Sequence, residues 1–403
     1  MKEKVLILNQ IFWPDKINTA RHISELAEEL SERGLEISVL VGNRDYRSNK
    51  KFKSEEFWKE ISITRIHIPI LFGRGWFQRI FTSFWLICAF CFKLINQRNY
   101  NYVIIGSNPP FIFLFLPLLR ILFRKSKLFV WIFDLYPDAI FASINMGNIM
   151  LEKVSNRILK YCYSKADAII DIGPCMRRKI LRFLPDKASF HTLTPWSFVE
   201  GRKFEEPHFE TRKTLFRDST LAIMYTGTIG NAHDFDSFLS LARRLRQLNA
   251  NVGFCFAGFG SRYDELKSKV LIDDTNITFA GFVNSDLELE QRVSSADLMM
   301  VSLRPDWTGI SVPSKFFTSI ATAKPVLFAG ASDSAISIWI KEYGLGFQVS
   351  TTNIDEIAYK LRDISLDQEL IADLKERATR VYDERFSKKV VCDGWYNLLT
   401  NSL

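Results

Sequence analysis

The residues best suited to chemistry stand just after strand-like runs. Ser314 and Lys315 lie in Ser311-Val-Pro-Ser-Lys-Phe-Phe-Thr-Ser-Ile-Ala-Thr-Ala-Lys-Pro325, where a Ser-Lys pair enters a helix-forming stretch. Backbone amides at such a start point outward. Lys315 could there neutralise a diphosphate leaving group while Ser314 hydrogen-bonds one of its oxygens. A capping serine beside a solvated lysine accounts for the same two residues. A second candidate is Thr226-Gly-Thr-Ile-Gly-Asn231, between a strand-like run and a helical one. Glycines at Gly227 and Gly230 let backbone approach a phosphate. No Lys-Ser/Thr pair follows, so this is no Walker loop, and it is no clean dinucleotide fingerprint. A purely structural turn competes with the phosphate reading. A third is Asp134-Leu-Tyr-Pro-Asp138, at the end of a strand. A carboxylate at Asp134 could take a proton from an acceptor or bind a sugar hydroxyl, or simply initiate a turn before proline. Arg21 and His22 open the first helix, where cations oppose the helix dipole. An anionic phosphate or a crossing salt bridge would explain Arg21.

Other chemistries find little support. The five histidines are scattered and show no zinc spacing. The six cysteines form no disulfide-like framework, and Cys88-x-x-Cys91 sits inside an apolar run, which predicts buried thiols.

The elements that must position these residues follow a βα rhythm. Val5–Asn9 reads as a buried strand, and a helix with Ile23, Leu26, Ala27 and Leu30 on one face ends at Arg33-Gly34. Ile37–Val41 completes one βαβ unit. Strands are expected at Ile61–Ile68, Tyr102–Gly106, Leu128–Phe133 and Ala168–Ile172, with a helix over 149–165. Residues 200–219 turn polar and charged, which marks a linker. A second series then begins, with strands at Leu221–Tyr225, Val252–Ala257, Ile277–Ala280, Leu298–Leu303 and Val326–Ala329. Gly227–Gly230 is expected as a tight loop between strand and helix. The fold class is therefore α/β: two Rossmann-like, doubly wound domains facing across a cleft, with ligands beyond the carboxyl ends of the strands. Residues 1–200 form the first domain, 201–384 the second, and 385–403 a C-terminal helix returning to the first.

The length of 403 residues suits two cores. The net charge of +8 is localised: 61–133 contains nine Lys and Arg and no Asp or Glu. The same stretch carries the apolar blocks Ile80–Phe92 and Pro110–Leu119, with Trp76, Arg79, Phe84, Trp85 and Lys93 around the first. Greasy aromatic blocks fit the acyl boundary of an anionic membrane better than nucleic acid, which favours isolated stacking rings. Neither block reaches the roughly 20 apolar residues of a spanning helix. The first reads as interfacial, while for the second a buried core helix is equally good. Met1-Lys-Glu-Lys runs straight into a strand rather than a signal peptide, which predicts a cytoplasmic protein at the inner face of the plasma membrane.

In order along the chain, the motifs resemble those of a GT-B glycosyltransferase of the large retaining family 4. The branch resembled is the bacterial one making O-antigen, capsule and colanic acid, N-acetylfucosamine transferases included. The resemblance is carried by Trp13-Pro14 through Ala20-Arg21, Leu30 to Leu40, Ser107-Asn-Pro-Pro110, Asp134-Leu-Tyr-Pro137 and Pro195-Trp196. In the second half it is carried by Tyr225 to Gly230, Phe256 to Gly260, Phe279 to Phe282, Ala296-Asp297, and Val312-Pro-Ser-Lys315 to Ala323-Lys-Pro-Val326.

The resemblance implies a nucleotide sugar, UDP-linked by expectation, as donor in the second domain. The diphosphate would lie near Gly227, Asn231 and Lys315 and the base near Phe282, with Thr226, Thr228, Gly230, Gly258 and Ser314 also lining the donor site. It implies Lys315 and Asp134 as catalytic residues. It implies acceptor binding at Trp13, Asn18, Thr19 and Arg21, and transfer with retention of a hexosyl or N-acetylhexosaminyl unit. The acceptor would be a polyprenyl-diphosphate-linked glycan; no cofactor or metal is expected. Two family glutamates eight positions apart fall at Ile310 and Thr318, so Thr318 would have to hold the ribose. The first loop has Asn18-Thr19 where the family has a glycine-rich turn. These departures motivate an alternative expectation, a catalytically weakened homologue acting as a binding or assembly partner.

Overall fold

The structure is a computed structural model, and it describes residues 2–48, 50–69, 76–95, 99–143, 149–184, 189–199, 209–283 and 285–401. The chain divides into two compact units. Unit 1 comprises Met1–Thr194, Gly309–Ser311 and Val391–Leu403; unit 2 comprises Pro195–Thr308 and Val312–Val390. The division falls at Thr194/Pro195, just ahead of the polar stretch at 200–219, of which 200–208 lie outside the described residues.

Unit 1 runs β1 (Lys4–Leu8), α1 (Asn18–Glu32), β2 (Glu36–Gly42), β3 (Glu55–Trp58), β4 (Ile61–Ile66), α2 (Trp76–Leu94) and β5 (Tyr102–Gly106). A 3₁₀ turn at Ile112–Phe115 leads to α3 (Leu116–Leu122), β6 (Lys127–Trp131), α4 (Asp138–Ser143), α5 (Ile149–Tyr163), β7 (Ala168–Asp171), α6 (Pro174–Leu181) and β8 (Ser189–Thr192). The sheet order is β3-β4-β2-β1-β5-β6-β7-β8, parallel except for the β3–β4 edge pair. Strand order reverses between β1 and β5. The loops after them therefore diverge and leave room for a ligand at their carboxyl ends. The central strands read as continuous apolar runs because helices cover both faces: Val5, Ile7, Val103 and Ile105 are fully buried.

Unit 2 runs α7 (Phe209–Phe216), β9 (Leu221–Thr228), α8 (Asp236–Gln247), β10 (Val252–Phe259), α9 (Tyr263–Ser268), β11 (Ile277–Ala280), α10 (Asp286–Ser294) and β12 (Leu298–Ser302). It continues through α11 (Lys315–Ala321), β13 (Val326–Ala329), α12 (Ala335–Tyr343), β14 (Gly346–Val349), α13 (Ile354–Leu366) and α14 (Gln368–Val381). A π turn at Tyr382–Phe386 precedes α15 (Lys388–Thr400). The fully parallel sheet has the order β11-β10-β9-β12-β13-β14, with its switch point between β9 and β12. From Val391 onward α15 belongs to unit 1, where Trp395 packs edge-on against Trp131 at 5.1 Å and Arg33 pairs with Asp393 at 2.7 Å.

Two expectations need correction. Gly227 does not sit in a tight loop: β9 continues through Thr228 because β10 pairs with it to the end, Gly258 opposite Gly227 and Phe259 opposite Thr228. The thiols of the Cys-x-x-Cys pair are not both buried. Cys91 is inside, but Cys88 is exposed, on the outward stripe of α2 that it shares with Phe81, Trp85 and Phe92. The basic stretch is also partly neutralised. Arg65 is buried and pairs with Glu56, Lys93 lies 3.8 Å from Glu55, and Arg120 pairs with Asp167. Arg74 and Arg98 and the side chains of Trp76 and Arg79 lie outside the described residues.

Candidate functional site

In unit 2 the switch point gathers most of the expected donor residues. The tips of β9 and β10 approach so closely that a Cβ on Gly258 would overlap the Gly227 carbonyl, and one on Gly260 would overlap that of Ile229. Both glycines have φ near the edge of the left-handed region, 156° and 149°. Only glycine permits this backbone-to-backbone contact. Gly227 itself (φ 114°) faces Lys315: a Cβ there would meet Lys315 Cε at 2.9 Å and Nζ at 3.4 Å.

Lys315 is half-buried, and its Nζ stands 5.0 Å from the centre of the Tyr225 ring. The ring face is the negative end of its quadrupole and holds the ammonium in place. The Tyr225 hydroxyl donates to Thr228 O at 2.7 Å, tying the ring to the β9 tip. Among the described residues no carboxylate pairs with Lys315, and burial draws its pKa down from 10.5 to about 8. The site thus holds a partly desolvated cation against bare glycine backbone, lacking a counter-ion. That arrangement stabilises an anion placed beside it.

The loop after β9 is braced from several sides. His233 Nδ1 lies 2.8 Å from Ser302 O, and the Asp234 amide donates to Ser302 Oγ at 2.9 Å. Arg262 donates to His233 O at 2.7 Å, and the Arg304 amide donates to Ala232 O at 2.8 Å. Burial, with Lys315 and Arg262 nearby, holds the His233 imidazole down at about 4, so it is neutral at physiological pH and adds no charge to the site. Asn231 is exposed, its carbonyl 3.4 Å from an Arg304 nitrogen. Phe282 is exposed and meets Phe259 edge-on at 4.7 Å, next to the β10 tip. Ser314 precedes α11 and makes no side-chain cap bond to a helix amide. Thr318 lies one turn after Lys315 and is half-buried. Lys324 is not part of this cluster: it is buried, donates to Ser294 O at 3.2 Å and Ala296 O at 2.6 Å, and ties off the end of α10.

In unit 1 the loops after β1, β5 and β6 meet at the carboxyl end of the sheet. Ser107 Oγ accepts from the amides of Phe133 (3.1 Å) and Asp134 (3.4 Å), and the Gln10 amide donates to Asn108 O at 2.8 Å. Among the described residues the Asp134 carboxylate has no partner, and burial pushes it up to about 6. Trp13 stacks on Trp58 at 5.2 Å, and its carbonyl accepts from Arg65 at 2.7 Å. Asn18 opens α1, its carbonyl 2.8 Å from His22 Nδ1, and Thr19 follows half-buried. Arg21 is exposed and lies 3.8 Å from Glu25, one helical turn on, which is the plain salt-bridge explanation. Ile310, where the first family glutamate falls, is a buried residue of unit 1 whose carbonyl accepts from the Leu135 amide at 2.9 Å.

Sequence reasoning missed Tyr225, His233, Ser302 and Arg262 as site-builders. Tyr225 reads as one more apolar strand residue, and the others act through backbone contacts that leave no spacing signal. Among the described residues no group of three or more His, Cys, Asp or Glu side chains is placed to hold a metal ion.

No family model matches the sequence. The chain is 25% identical over 288 residues to "Probable glycosyltransferase WbjE" of Pseudomonas aeruginosa, covering 69% of this chain and 68% of that protein. It superposes on sucrose-phosphate synthase from Thermosynechococcus elongatus with a TM-score of 0.70 at 12% identity, both chains fully covered. On HepE from Anabaena in complex with UDP the TM-score is 0.65 at 14% identity, again over both whole chains. The chain has the two-domain GT-B fold of these structures.

Proposed function

We propose that this chain is a glycosyltransferase whose unit 2 binds a nucleotide sugar through its diphosphate at Lys315. The observation that carries the reading is the half-buried Lys315 ammonium, lacking a carboxylate partner and held by Tyr225 against Gly227. The relative's description as a probable glycosyltransferase and the UDP held by HepE support it. The donor is a UDP-linked hexose or N-acetylhexosamine. In the transfer, the bond between the anomeric carbon and the diphosphate oxygen breaks and its electron pair leaves with UDP. Lys315 and the amides around Gly227 stabilise the developing charge. An acceptor hydroxyl bonds the anomeric carbon with retention, and its proton passes to the leaving phosphate oxygen. Phe282 and Phe259 border the base, Thr318 the ribose. Asp134 orients the acceptor hydroxyl from unit 1, with Trp13, Asn18, Thr19 and Arg21 around the acceptor.

The acceptor is a polyprenyl-diphosphate-linked glycan of bacterial surface polysaccharide synthesis, of the family 4 branch that the motifs resemble. Access to it requires residence at the inner face of the membrane. Support comes from α2: Leu86, Phe90 and Leu94 are buried, while Phe81, Trp85 and Phe92, one and then two helical turns apart on the same side, are exposed. Ile121 of α3 is also exposed, and exposed Arg124 and Lys125 follow it. Such a face lies in an anionic interface. No helix among the described residues is long and apolar enough to cross a membrane.

The test is transfer of labelled sugar from a panel of nucleotide sugars into a bacterial lipid extract. Transfer by the wild type, reduced about 10²–10³-fold in Lys315→Ala, is expected; no transfer from any donor overturns the reading. A second reading, a weakened homologue serving as a binding partner, is favoured by the buried Ile310 and by Thr318 at the family's glutamate positions. UDP binding that is poor and indifferent to Lys315→Ala would select it.

A further inference from the structure

Unit 2 contains a second basic concavity, formed by other elements than the Lys315 cluster. A cavity of about 570 Å³ opens between the end of α12, the last turns of α14 and the π turn. Its walls carry Lys341, Arg377, Arg380 and Arg385 against Glu342 and Glu384. None of the four cations forms an ion pair among the described residues, and against the two carboxylates they leave the wall an excess of two positive charges. Arg377 is brought in by a backbone device: Gly344 caps α12 in the left-handed conformation (φ 64°), and the Arg377 guanidinium occupies the space a Cβ would take there. The carbonyl end of α12 attracts a cation, which accounts for one basic residue near its last turn but not for four. An excess of positive charge lining a concavity concentrates counter-ions, and guanidinium groups match phosphate oxygens in forked geometry.

We infer that this cavity is a binding site for a phosphate-bearing anion carrying at least two negative charges, separate from the Lys315 cluster. Arg377 sits half-buried on Gly344, while Arg380 and Arg385 reach in from the rim. Its volume exceeds what a bare phosphate ion needs and lies in the range of small-molecule sites. The phosphate comes either from a soluble molecule or from a lipid headgroup, which share the same recognition chemistry.

The test uses the full chain and inorganic pyrophosphate as probe. In a Lys315→Ala background, calorimetry should find one pyrophosphate bound per chain, with affinity falling as salt rises. Adding Arg380→Glu and Arg385→Glu, both at exposed positions that do not threaten folding, should weaken it about tenfold or more. Flotation on phosphatidylglycerol vesicles identifies the source. Flotation lost in the double charge reversal assigns the phosphate to a headgroup, and flotation retained while pyrophosphate binding is lost assigns it to a soluble anion; either supports the site. No pyrophosphate bound in the Lys315→Ala background, or unchanged affinity after the charge reversal, overturns it.

Discussion

Two groups of the candidate sites, Lys315 and Asp134, have displaced protonation. Burial lowers Lys315 to about 8. Below that pH it is charged both folded and unfolded, and its partial desolvation costs the empty fold stability; the cost disappears as pH rises from about 8 towards 10.5. A diphosphate bound beside the ammonium would raise the Lys315 value back towards 10.5. At about pH 9, UDP binding should therefore take up close to one proton, measured by calorimetry in buffers of different ionisation enthalpy. Lys315→Met should abolish that uptake and raise the thermal midpoint of the empty protein at neutral pH, a stability gain of up to about 3 kcal/mol. Asp134 is displaced in the other direction: burial raises it from 3.8 to about 6. Its ionised form is thus disfavoured by the fold, and stability from this group falls as pH rises from 3.8 through about 6. If Asp134 orients the acceptor hydroxyl as its carboxylate, transfer rate should climb with pH through about 6. Asp134→Asn should lose that acid limb while being no less stable at pH 7.

Among the elements, the β9–β10 tip carries the site, and it shows how far a sequence speaks for itself. Apolar runs such as Val5-Leu-Ile-Leu8 and Leu221-Ala-Ile-Met-Tyr225 announce buried parallel strands, because helices cover both faces and burial dictates their composition. The glycines at Gly227, Gly258 and Gly260 announce a close approach. What they approach is not legible: Gly258 and Gly260 meet the backbone of Gly227 and Ile229, and Gly227 the Lys315 side chain, each tens of residues away. β3 escapes notice because its four residues alternate between exposed and half-buried at a sheet edge, and α2 mixes a core face with an equally apolar outward one. The Lys315 half of the site was legible from residue type and position, whereas its Tyr225 support depends on packing within unit 2. The tip makes a sharp prediction. Gly258→Ala would drive a Cβ into the Gly227 carbonyl and strain a positive φ. It should cost about 2–4 kcal/mol in chemical denaturation of unit 2. UDP affinity should fall with it, since Gly227 moves off Lys315.

On the scale of the whole molecule, each unit contributes its own feature to the proposal: unit 2 the Lys315 ammonium beside Gly227, unit 1 the Asp134 carboxylate and the exposed apolar side chains on the outward face of α2. If that face lies on anionic lipid, Trp85→Asp with Phe92→Asp should reduce flotation on phosphatidylglycerol vesicles about tenfold or more, from lost apolar burial, with UDP affinity unchanged. Phe92 is exposed and Trp85 partly so, the latter giving up a surface hydrogen bond to His67 O, and circular dichroism of the variant checks that it folds. The proposed transfer depends on a nucleotide diphosphate binding where Tyr225 holds Lys315 against Gly227. The most direct measurement is calorimetric titration of UDP into the wild type and Lys315→Ala at neutral pH. Saturable one-to-one binding by the wild type, weakened about tenfold to a hundredfold by the substitution through loss of a charge-assisted contact, is the predicted result. Equal affinity in the two proteins, or no UDP binding by the wild type, would contradict it.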